Sequence, residues 1–230
     1  MFASERLNAT NRLTEVRQLL ETIKTLESTD PLQPDGTEAL ILRGLFYVHL
    51  YATLEHTVNQ VVEKLLSAVS GLAVKIAHFE PIFLSVALDP EFTSFGDTGK
   101  NRRWAKRITF LKKQMSLDNE KLNTSLFSFS LQNIWKQDLI DVFECLYINE
   151  PIVPEATLIH YIDEIVNKRN EIAHGRQSPV IVGRGTRSPD LLIRLDAVSQ
   201  IIFHVIECFE KHLTDLNFVR IEDRAHYSLR

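Results

Sequence analysis

Residues 45–66 read LFYVHLYATLEHTVNQVVEKLL, and this stretch decides the fold class. Its apolar side chains recur at spacings of 3, 4, 3 and 4 residues, at Tyr51, Leu54, Val58, Val61 and Leu65. This spacing places them on one face of an α-helix. Because Gly44 is the only glycine or proline between residues 37 and 70, we predict one long helix over that range.

Similar stripes continue through the chain, so the sequence predicts an all-α fold with long antiparallel helices and accessory helices. The further predicted helices cover 5–27, 72–88, 100–115, 131–146, 154–174 and 190–215. We expect a loop over 89–99 and a short extended piece over Ser125–Ser130, where Leu and Phe alternate with Ser. We predict a single domain over 1–230, made of an N-terminal helix (1–30), a core (36–215) and a loosely packed tail (216–230).

Composition excludes several classes of protein. The eight glycines and eight prolines are bunched, whereas a β-sandwich or barrel needs turn residues every 8–12 positions. No uncharged apolar run reaches 18 residues, which argues against a membrane span. Charges at Glu5, Arg6 and Arg12 precede any apolar stretch, so we predict no signal peptide. We therefore expect a cytoplasmic protein without a membrane partner.

The two cysteines and the histidines of the last helix give no sign of a metal site. Cys145 and Cys208 lie in apolar helical patterns, which is typical of reduced core thiols. His204, Cys208 and His212 follow one another at intervals of four residues and could face one side of a helix. A structural metal site usually takes four ligands from more than one element, so we predict no metal and no cofactor.

A basic segment stands out from the acidic net charge of −4. Between Lys100 and Lys113 lie seven basic residues and no acidic one, so the rest of the chain carries a net −11. A solvated helix face explains such a segment as well as a phosphate-binding patch does. In the second interpretation Trp104 and Phe110 would stack on bases, and the RNA-binding candidates are Arg102, Arg103, Lys106 and Arg107.

Two charged residues interrupt apolar stripes. In helix 154–174 the stripe Leu158, Ile162, Ile165 continues to Arg169, and in helix 37–70 the stripe Val48, Tyr51 continues to Glu55. A guanidinium cannot lose its charge, so its burial requires an anionic partner or ligand. We therefore expect Glu55 and Arg169 to face each other. A buried ion pair that only fixes the helix register is an equal alternative to a functional role.

The residues that follow Arg169 favour a functional role. Asn170 and His174 lie about 40° apart on one helix face, and Gly175 is typical of the residue after a helix end. Histidine is the side chain best suited to proton transfer near neutral pH. A cation, an amide and an imidazole at a helix end could together bind and cleave a phosphodiester. We expect the following loop, 175–189, to be either a mobile basic flap carrying Arg176 as an RNA contact or a plain solvated connection.

The motif Arg169-Asn170-x-x-x-His174 resembles the R-x4-6-H signature of the HEPN superfamily, and the resemblance to stand-alone prokaryotic HEPN nucleases covers roughly 37–215. It implies an all-α HEPN-like bundle, a homodimer with a composite cleft, and RNA cleavage without metal through attack of the 2′-hydroxyl. It also implies toxin–antitoxin or phage-defence roles, with a cognate antitoxin or partner defence subunit. By motif position Arg169 and His174 are the active-site residues, and Glu55 matches an acidic residue of some members.

The bare pattern is weak, because Arg43/His49 and Arg220/His226 also satisfy it. Two other hypotheses therefore stand beside a metal-independent endoribonuclease. One is a HEPN-like helical dimerisation, interaction or nucleotide-binding module without catalysis. The other assigns the basic segment to DNA binding, which the overall acidity disfavours.

Overall fold

The computed structural model describes residues 1–30, 32–96, 102–128 and 130–228. Within these ranges the protein is all-α, as predicted, and two isolated antiparallel bridges, Lys75 with Asn119 and Phe79 with Val219, are its only β-type pairing. The helices are α1 (Ala3–Leu26), α2 (Thr37–Gly71), α3 (Leu84–Ala87), α4 (Asp89–Gly96), α5 (Arg103–Gln114), α6 (Lys136–Cys145), α7 (Ile159–Ala173), α8 (Pro179–Gly183) and α9 (Ser188–Thr214). Short 3₁₀ turns occur at 76–78, 130–132, 156–158 and 224–226.

The long helices confirm the predictions made from their periodicity. The observed bounds of α1, α2, α5 and α9 lie within about three residues of the predicted ones, and α6 and α7 each start a few residues late, after a 3₁₀ turn. Every apolar position of the stripe in α2, from Tyr51 to Leu65, is buried. Lys100 of the basic segment and Arg230 of the tail lie outside the described residues.

The prediction for 72–99 was wrong in two ways. Instead of a helix over 72–88, only Leu84–Ala87 is α-helical, because Ala73 has a positive φ of 50°. The amides of Ile76 and Ala77 donate to the carbonyls of Asp118 and Ser116 rather than within a helix. The predicted loop 89–99 contains α4, whose first turn carries acidic side chains and a proline, both favourable at a helix start.

Two further expectations were wrong. Residues 124–128 form turns rather than an extended piece, with hydrogen bonds from Leu126 to Asn123 and from Ser128 to Ser125. The tail is packed rather than loose at its start, whereas Ile221, Glu222, Ala225 and His226 are exposed. Phe218 and Val219 are fully buried, and the hydroxyl of Tyr227 lies 2.9 Å from Nδ1 of His78. Two aromatic side chains, Phe218 and Tyr227, and the aliphatic Val219 attach the tail to the rest of unit 2.

The chain divides into two compact units, and three of the five boundaries between them fall within α2, α6 and α9. Unit 1 contains residues 1–61, 130–139 and 151–207, and unit 2 contains 62–129, 140–150 and 208–230. In unit 1, α1 contacts α2 where Oε2 of Glu15 lies 3.5 Å from Nε2 of His49, and it forms an ion pair with α9 through Arg17 and Asp196. The core of unit 1 consists of the buried apolar faces of α1, α7 and the parts of α2 and α9 within that unit.

Arg43 is the largest polar side chain in the core of unit 1. It is 1% exposed and forms ion pairs with Glu27 at 2.6 Å and Asp35 at 2.5 Å. The same Glu27 accepts hydrogen bonds from the amide and the hydroxyl of Ser188, and Arg187 donates to Asp35 and to the carbonyl of Ser28. We call these side chains the Arg43 network. It joins the C-terminal end of α1 and the N-terminal end of α9 to the start of α2.

The segment after α7 is packed against α2 over its helical part rather than extended as a flap. It contains α8, and two glycines allow α8 to lie directly against α2. A Cβ at Gly183 would lie 2.1 Å from the carbonyl oxygen of Leu40, and one at Gly44 would lie 2.3 Å from that of Pro179. Because only glycine fits these positions, the 179–183 backbone is held tightly, and Arg187 belongs to the Arg43 network.

Unit 2 has an aromatic core and a buried histidine. Phe79, Phe83 and Phe218 lie with ring centroids 5.0–6.4 Å apart. His212 is fully buried beside Phe218, and within the described residues neither of its ring nitrogens has a hydrogen-bond partner. Burial lowers the pKa of His212 to about 4. Both cysteines are free thiols, as predicted, and burial raises the pKa of Cys145.

Candidate active site at the end of helix α7

The C-terminal end of α7 presents the predicted motif. Ile162, Ile165 and Val166 are buried and anchor the helix, and His174 is the residue at which it ends. Gly175 follows with a φ of 67°, the left-handed conformation that favours glycine, and its amide donates to the carbonyl of Ile172 at 3.0 Å. The predicted role of Gly175 at the helix end is thereby confirmed.

The side chain of His174 is accessible. The residue is exposed, and no other group in the described part of the chain makes a hydrogen bond to its imidazole. Its position is set by the backbone, because its amide donates to the carbonyl of Asn170 at 3.0 Å. The imidazole therefore has both nitrogens available for a ligand or for proton transfer.

Arg169 is held mainly by uncharged groups. Its Nη1 donates to the side-chain oxygens of Asn133 at 2.6 Å and Asn170 at 2.7 Å. The guanidinium carbon lies 4.5 Å from the ring centroid of Tyr51, in a cation–π contact. Nη2 lies 3.9 Å from a carboxylate oxygen of Glu55, which is an ion-pair distance but too long for a hydrogen bond. The expectation that Glu55 and Arg169 face each other is confirmed.

Asn133 and Tyr51 are site residues that the interpretation of the motif missed. The Tyr51 hydroxyl donates to the carbonyl of Gln132 at 3.2 Å and accepts from the amide of Ile134 at 3.0 Å, so Tyr51 fixes the backbone on both sides of Asn133. Burial raises the pKa of Tyr51 to about 12, which keeps the phenol neutral. Tyr51 was visible in the sequence as part of the α2 stripe, whereas no pattern marked Asn133.

Glu55 is a half-buried carboxyl rather than a tightly paired one. Burial raises its pKa above the ordinary value, although the nearby Arg169 charge acts in the opposite direction. The side chains of Arg169 and Glu55 are 22% and 25% exposed. The guanidinium is thus oriented by two amide oxygens and a ring while its charge is only loosely balanced, which suits it to contact an incoming anion.

Arg43 and Arg220 show by contrast why the other two motif matches are coincidental. Arg43 is enclosed by two carboxylates, and its partner in the pattern, His49, lies 3.5 Å from Glu15 on α1. Arg220 donates to the carbonyl of Phe79, and neither it nor His226 lies on an α-helix. Neither arginine therefore shares a helix end with its histidine.

The predicted RNA-binding residues differ in accessibility. Arg176 is exposed just after the site, in unit 1. Arg102, Arg103 and Arg107 are exposed at the start of α5, in unit 2. Lys106 is half-buried, and its Nζ donates to the carbonyl of Ser94 at 2.6 Å, so its charge already serves a structural contact.

The described residues contain neither a metal-binding cluster nor a membrane-spanning helix. No three His, Cys, Asp or Glu side chains lie together in a way that could hold a metal ion. Nε2 of His204 lies 2.7 Å from the carbonyl of Pro151. None of the helices that the structure describes has the length and apolar character needed to cross a bilayer.

A family model described as RiboL-PSP-HEPN matches residues 10–215, which include every element that builds the site. No curated protein and no solved structure matches the chain.

Proposed function

The chain belongs to the RiboL-PSP-HEPN family, a membership that confirms the resemblance to the HEPN superfamily, and from this premise we propose that it is a metal-independent endoribonuclease. The observation that carries the proposal is the environment of Arg169. Two amide oxygens and the ring of Tyr51 orient its guanidinium, while its charge has only a distant carboxylate partner. An exposed imidazole, His174, lies at the end of the same helix.

In this proposal each side chain has a separate role. Arg169 binds the non-bridging oxygens of a phosphodiester and stabilises the charge that develops there. His174 transfers the proton. Asn170, together with Asn133, holds the guanidinium in its orientation, and Glu55 organises the cleft by limiting how far Arg169 can move. Arg176, exposed two residues after His174, contacts the adjacent RNA backbone.

The reaction that fits these groups is an internal transfer on RNA. The 2′-hydroxyl oxygen attacks the adjacent phosphorus, a proton passes from that hydroxyl to a base, and the bond from phosphorus to the 5′-oxygen breaks. The leaving 5′-oxygen takes up a proton, which leaves a 2′,3′-cyclic phosphate and a 5′-hydroxyl. One neutral imidazole can act as base and one protonated imidazole as acid.

A pair of imidazoles that acts as base and acid in this way supports a homodimer. Each chain offers a single His174 at the end of α7, so two copies of the helix end would supply both proton-transfer groups in one composite cleft. We extend the proposal to the biological role that the HEPN resemblance implies, a toxin or defence effector in the cytoplasm. Its activity would then be held off by a cognate antitoxin or a partner defence subunit.

Incubation with total RNA in EDTA tests the proposed site. We expect the wild-type protein to cleave RNA and His174→Ala to lose cleavage by at least about 100-fold. His49→Ala and His226→Ala are matched controls, because each removes the histidine of a coincidental motif match, and both should cleave as the wild type does. Cleavage by His174→Ala at the wild-type rate would show that the proposed site is wrong.

The same experiment separates the alternative function. If Arg169 only supports a dimer seam in a non-catalytic module, no form of the protein cleaves RNA. In that case Arg169→Ala lowers the dimer fraction in analytical ultracentrifugation. Induction in a bacterial host tests the biological role: growth arrest by the wild type but not by His174→Ala supports a toxic ribonuclease, and equal growth of both strains contradicts it.

A further inference from the structure

Helix α5 carries an apolar face that nothing in the described chain covers. No residue of α5 is buried. Four large apolar side chains at spacings of 4, 3 and 4 residues form this face, which we call the α5 stripe: Trp104 (71% exposed), Ile108 (53%), Leu111 (58%) and Met115 (79%). The stripe is about 16 Å long, or three helical turns. Contiguous exposed apolar side chains of this kind mark interaction surfaces.

The opposite face of α5 is already used within unit 2. Phe110 packs edge-on against Phe92 and Phe95, with centroids 5.0 Å and 5.6 Å apart. Lys106 donates to Ser94, and Lys113 forms ion pairs with Glu91 and Glu120. Helix α5 therefore packs against the rest of unit 2 through this face. The α5 stripe lies on the opposite side of the helix and faces away from unit 2.

Unpaired cations border the stripe. Arg103 and Arg107 lie along one edge and Lys112 along the other, and none of the three has an acidic partner in the part of the chain that the structure describes. The guanidinium of Arg107 lies 4.9 Å from the ring centroid of Trp104. These charges make the surface complementary to a ligand that is apolar along its centre and acidic along its sides.

A hollow lies beside the stripe. It has a volume of about 440 Å³ and is lined by Phe95, Arg103, Arg107, Phe110 and Leu111. Aromatic and aliphatic walls with two arginines at the rim could receive one large apolar side chain next to a carboxylate. Interfaces commonly use such an anchor residue in a pocket.

These features favour one kind of occupant over three others. A second copy of α5 would bring like charges together. RNA makes its main apolar contacts by stacking bases on aromatic rings, and only one of the four side chains of the stripe is aromatic. A bilayer surface is flat and does not fill a hollow with an arginine rim. An amphipathic helix bound in a groove does match the stripe, because its apolar anchor residues recur at i, i+3, i+4 and i+7.

We infer that the α5 stripe is a docking surface for an acidic amphipathic helix of a partner protein. Apolar side chains of that helix contact Trp104, Ile108, Leu111 and Met115, and one of them enters the hollow. Carboxylates at its sides meet Arg103 and Arg107. The inference rests on α5, on Met115 just after it and on the hollow beside it, and it does not depend on RNA cleavage at Arg169 and His174.

In the variant Trp135→Phe, Trp104 is the single tryptophan of the chain, so its fluorescence reports binding directly. The probe is a 15-residue helical peptide with Leu at positions spaced 3, 4, 3 and 4 and Glu at the others. We expect a saturable blue shift of Trp104 emission at micromolar peptide. The matched basic peptide, with Lys in place of Glu, should give no shift, and Leu111→Glu should weaken binding by at least tenfold.

Charge reversal provides the decisive control. The double variant Arg103→Glu/Arg107→Glu should lose the acidic peptide and bind the basic one. The double variant Lys64→Glu/Lys121→Glu makes the same change in charge at exposed positions elsewhere in unit 2, and it should bind as the parent does. Far-ultraviolet circular dichroism of each variant shows whether its helices are intact.

Three outcomes would overturn the inference. The first is the absence of a saturable shift with the acidic peptide. The second is an equal response to both peptides, or an unchanged preference after charge reversal. The third is a shift produced by phosphatidylserine vesicles, or by a single-stranded RNA 20-mer, at lower concentration than by the acidic peptide. The RNA result would support the prediction that Arg102, Arg103, Lys106 and Arg107 contact RNA.

Discussion

Arg43 and Arg169 illustrate two different uses of a partly or fully buried guanidinium. Arg43 is fully buried and meets two carboxylates at hydrogen-bond distance, so its charge is compensated inside the protein. Arg169 meets two amide oxygens and an aromatic face, and its nearest carboxylate is 3.9 Å away. Fixed geometry combined with an incompletely balanced charge is what a phosphate-binding arginine requires.

Replacement of Arg169 by lysine tests whether RNA cleavage requires the planar guanidinium or only a positive charge. Lysine cannot donate to Asn133 and Asn170 while presenting further N–H groups to a phosphate. We expect Arg169→Lys to reduce single-turnover RNA cleavage by about 100-fold. The free energy of unfolding should fall by only about 1 kcal/mol. Arg17→Lys, at an exposed ion pair with Asp196, should change neither quantity, and a wild-type rate for Arg169→Lys would mean that charge alone suffices.

The pairing of Glu55 with Arg169 was predictable from the sequence because each breaks an apolar stripe on its helix. Opposite charges that interrupt two stripes are stabilised by facing each other. Asn133 was not predictable. It lies 36 residues from Arg169, near the start of the predicted helix 131–146, which the structure forms only from Lys136 onward. It reaches the guanidinium only because Tyr51 holds the backbone at Gln132 and Ile134. A contact of this kind depends on tertiary placement, which local patterns do not encode.

At the scale of elements, periodicity predicted the long helices and failed for the short ones. Helices α2 and α9 repeat an apolar stripe over many turns, so their signal exceeds that of any single residue. Residues 72–99 contain comparable numbers of apolar side chains in shorter runs. There a positive φ at Ala73 and backbone bonds to Ser116 and Asp118 override helix propensity.

The end of α7 depends on one backbone conformation, which a substitution can test. At Gly175 a side chain would have to adopt a φ of 67°, so we expect Gly175→Ala to lower the free energy of unfolding by about 1 kcal/mol. Displacement of His174 should also reduce RNA cleavage. Gly71→Ala is the matched control, because Gly71 closes α2 with no atom near its absent Cβ. It should be neutral or stabilising in urea unfolding. Equal stability of the two variants would contradict this account of the helix end.

At the scale of the whole molecule, the acidic composition conceals groups whose ionisation opposes folding. His212 is the clearest case, because it is fully buried between Phe218 and the remaining core of unit 2 with neither nitrogen bonded in the described chain. Glu150 acts to raise its pKa and Arg224 to lower it, but burial dominates and sets the value at about 4. The sequence suggested His212 only as a possible metal ligand, since its environment depends on how the tail packs.

The lowered pKa of His212 predicts how the free energy of unfolding depends on pH. The unfolded chain takes up a proton at His212 near pH 6.5, whereas the folded protein does so only near pH 4. The free energy of unfolding therefore falls as pH decreases from about 6.5 to 4, by about 3 kcal/mol from this residue alone. We expect His212→Leu to remove this share of the dependence and to be at least as stable as the wild type at pH 8. Urea unfolding of the wild type and of His212→Leu across this pH range measures the difference, and an equal pH dependence of the two free energies of unfolding would contradict the prediction.

The Arg43 network has a consequence for the order in which the protein folds. The hydrogen bonds that Ser188 donates to Glu27 connect positions 161 residues apart along the chain. Closing so large a loop costs conformational entropy before any contact compensates for it. We therefore expect the network to form after the folding transition state. Interactions absent from the transition state slow unfolding without accelerating folding, so these buried charges would set the lifetime of the native state more than the speed at which it is reached.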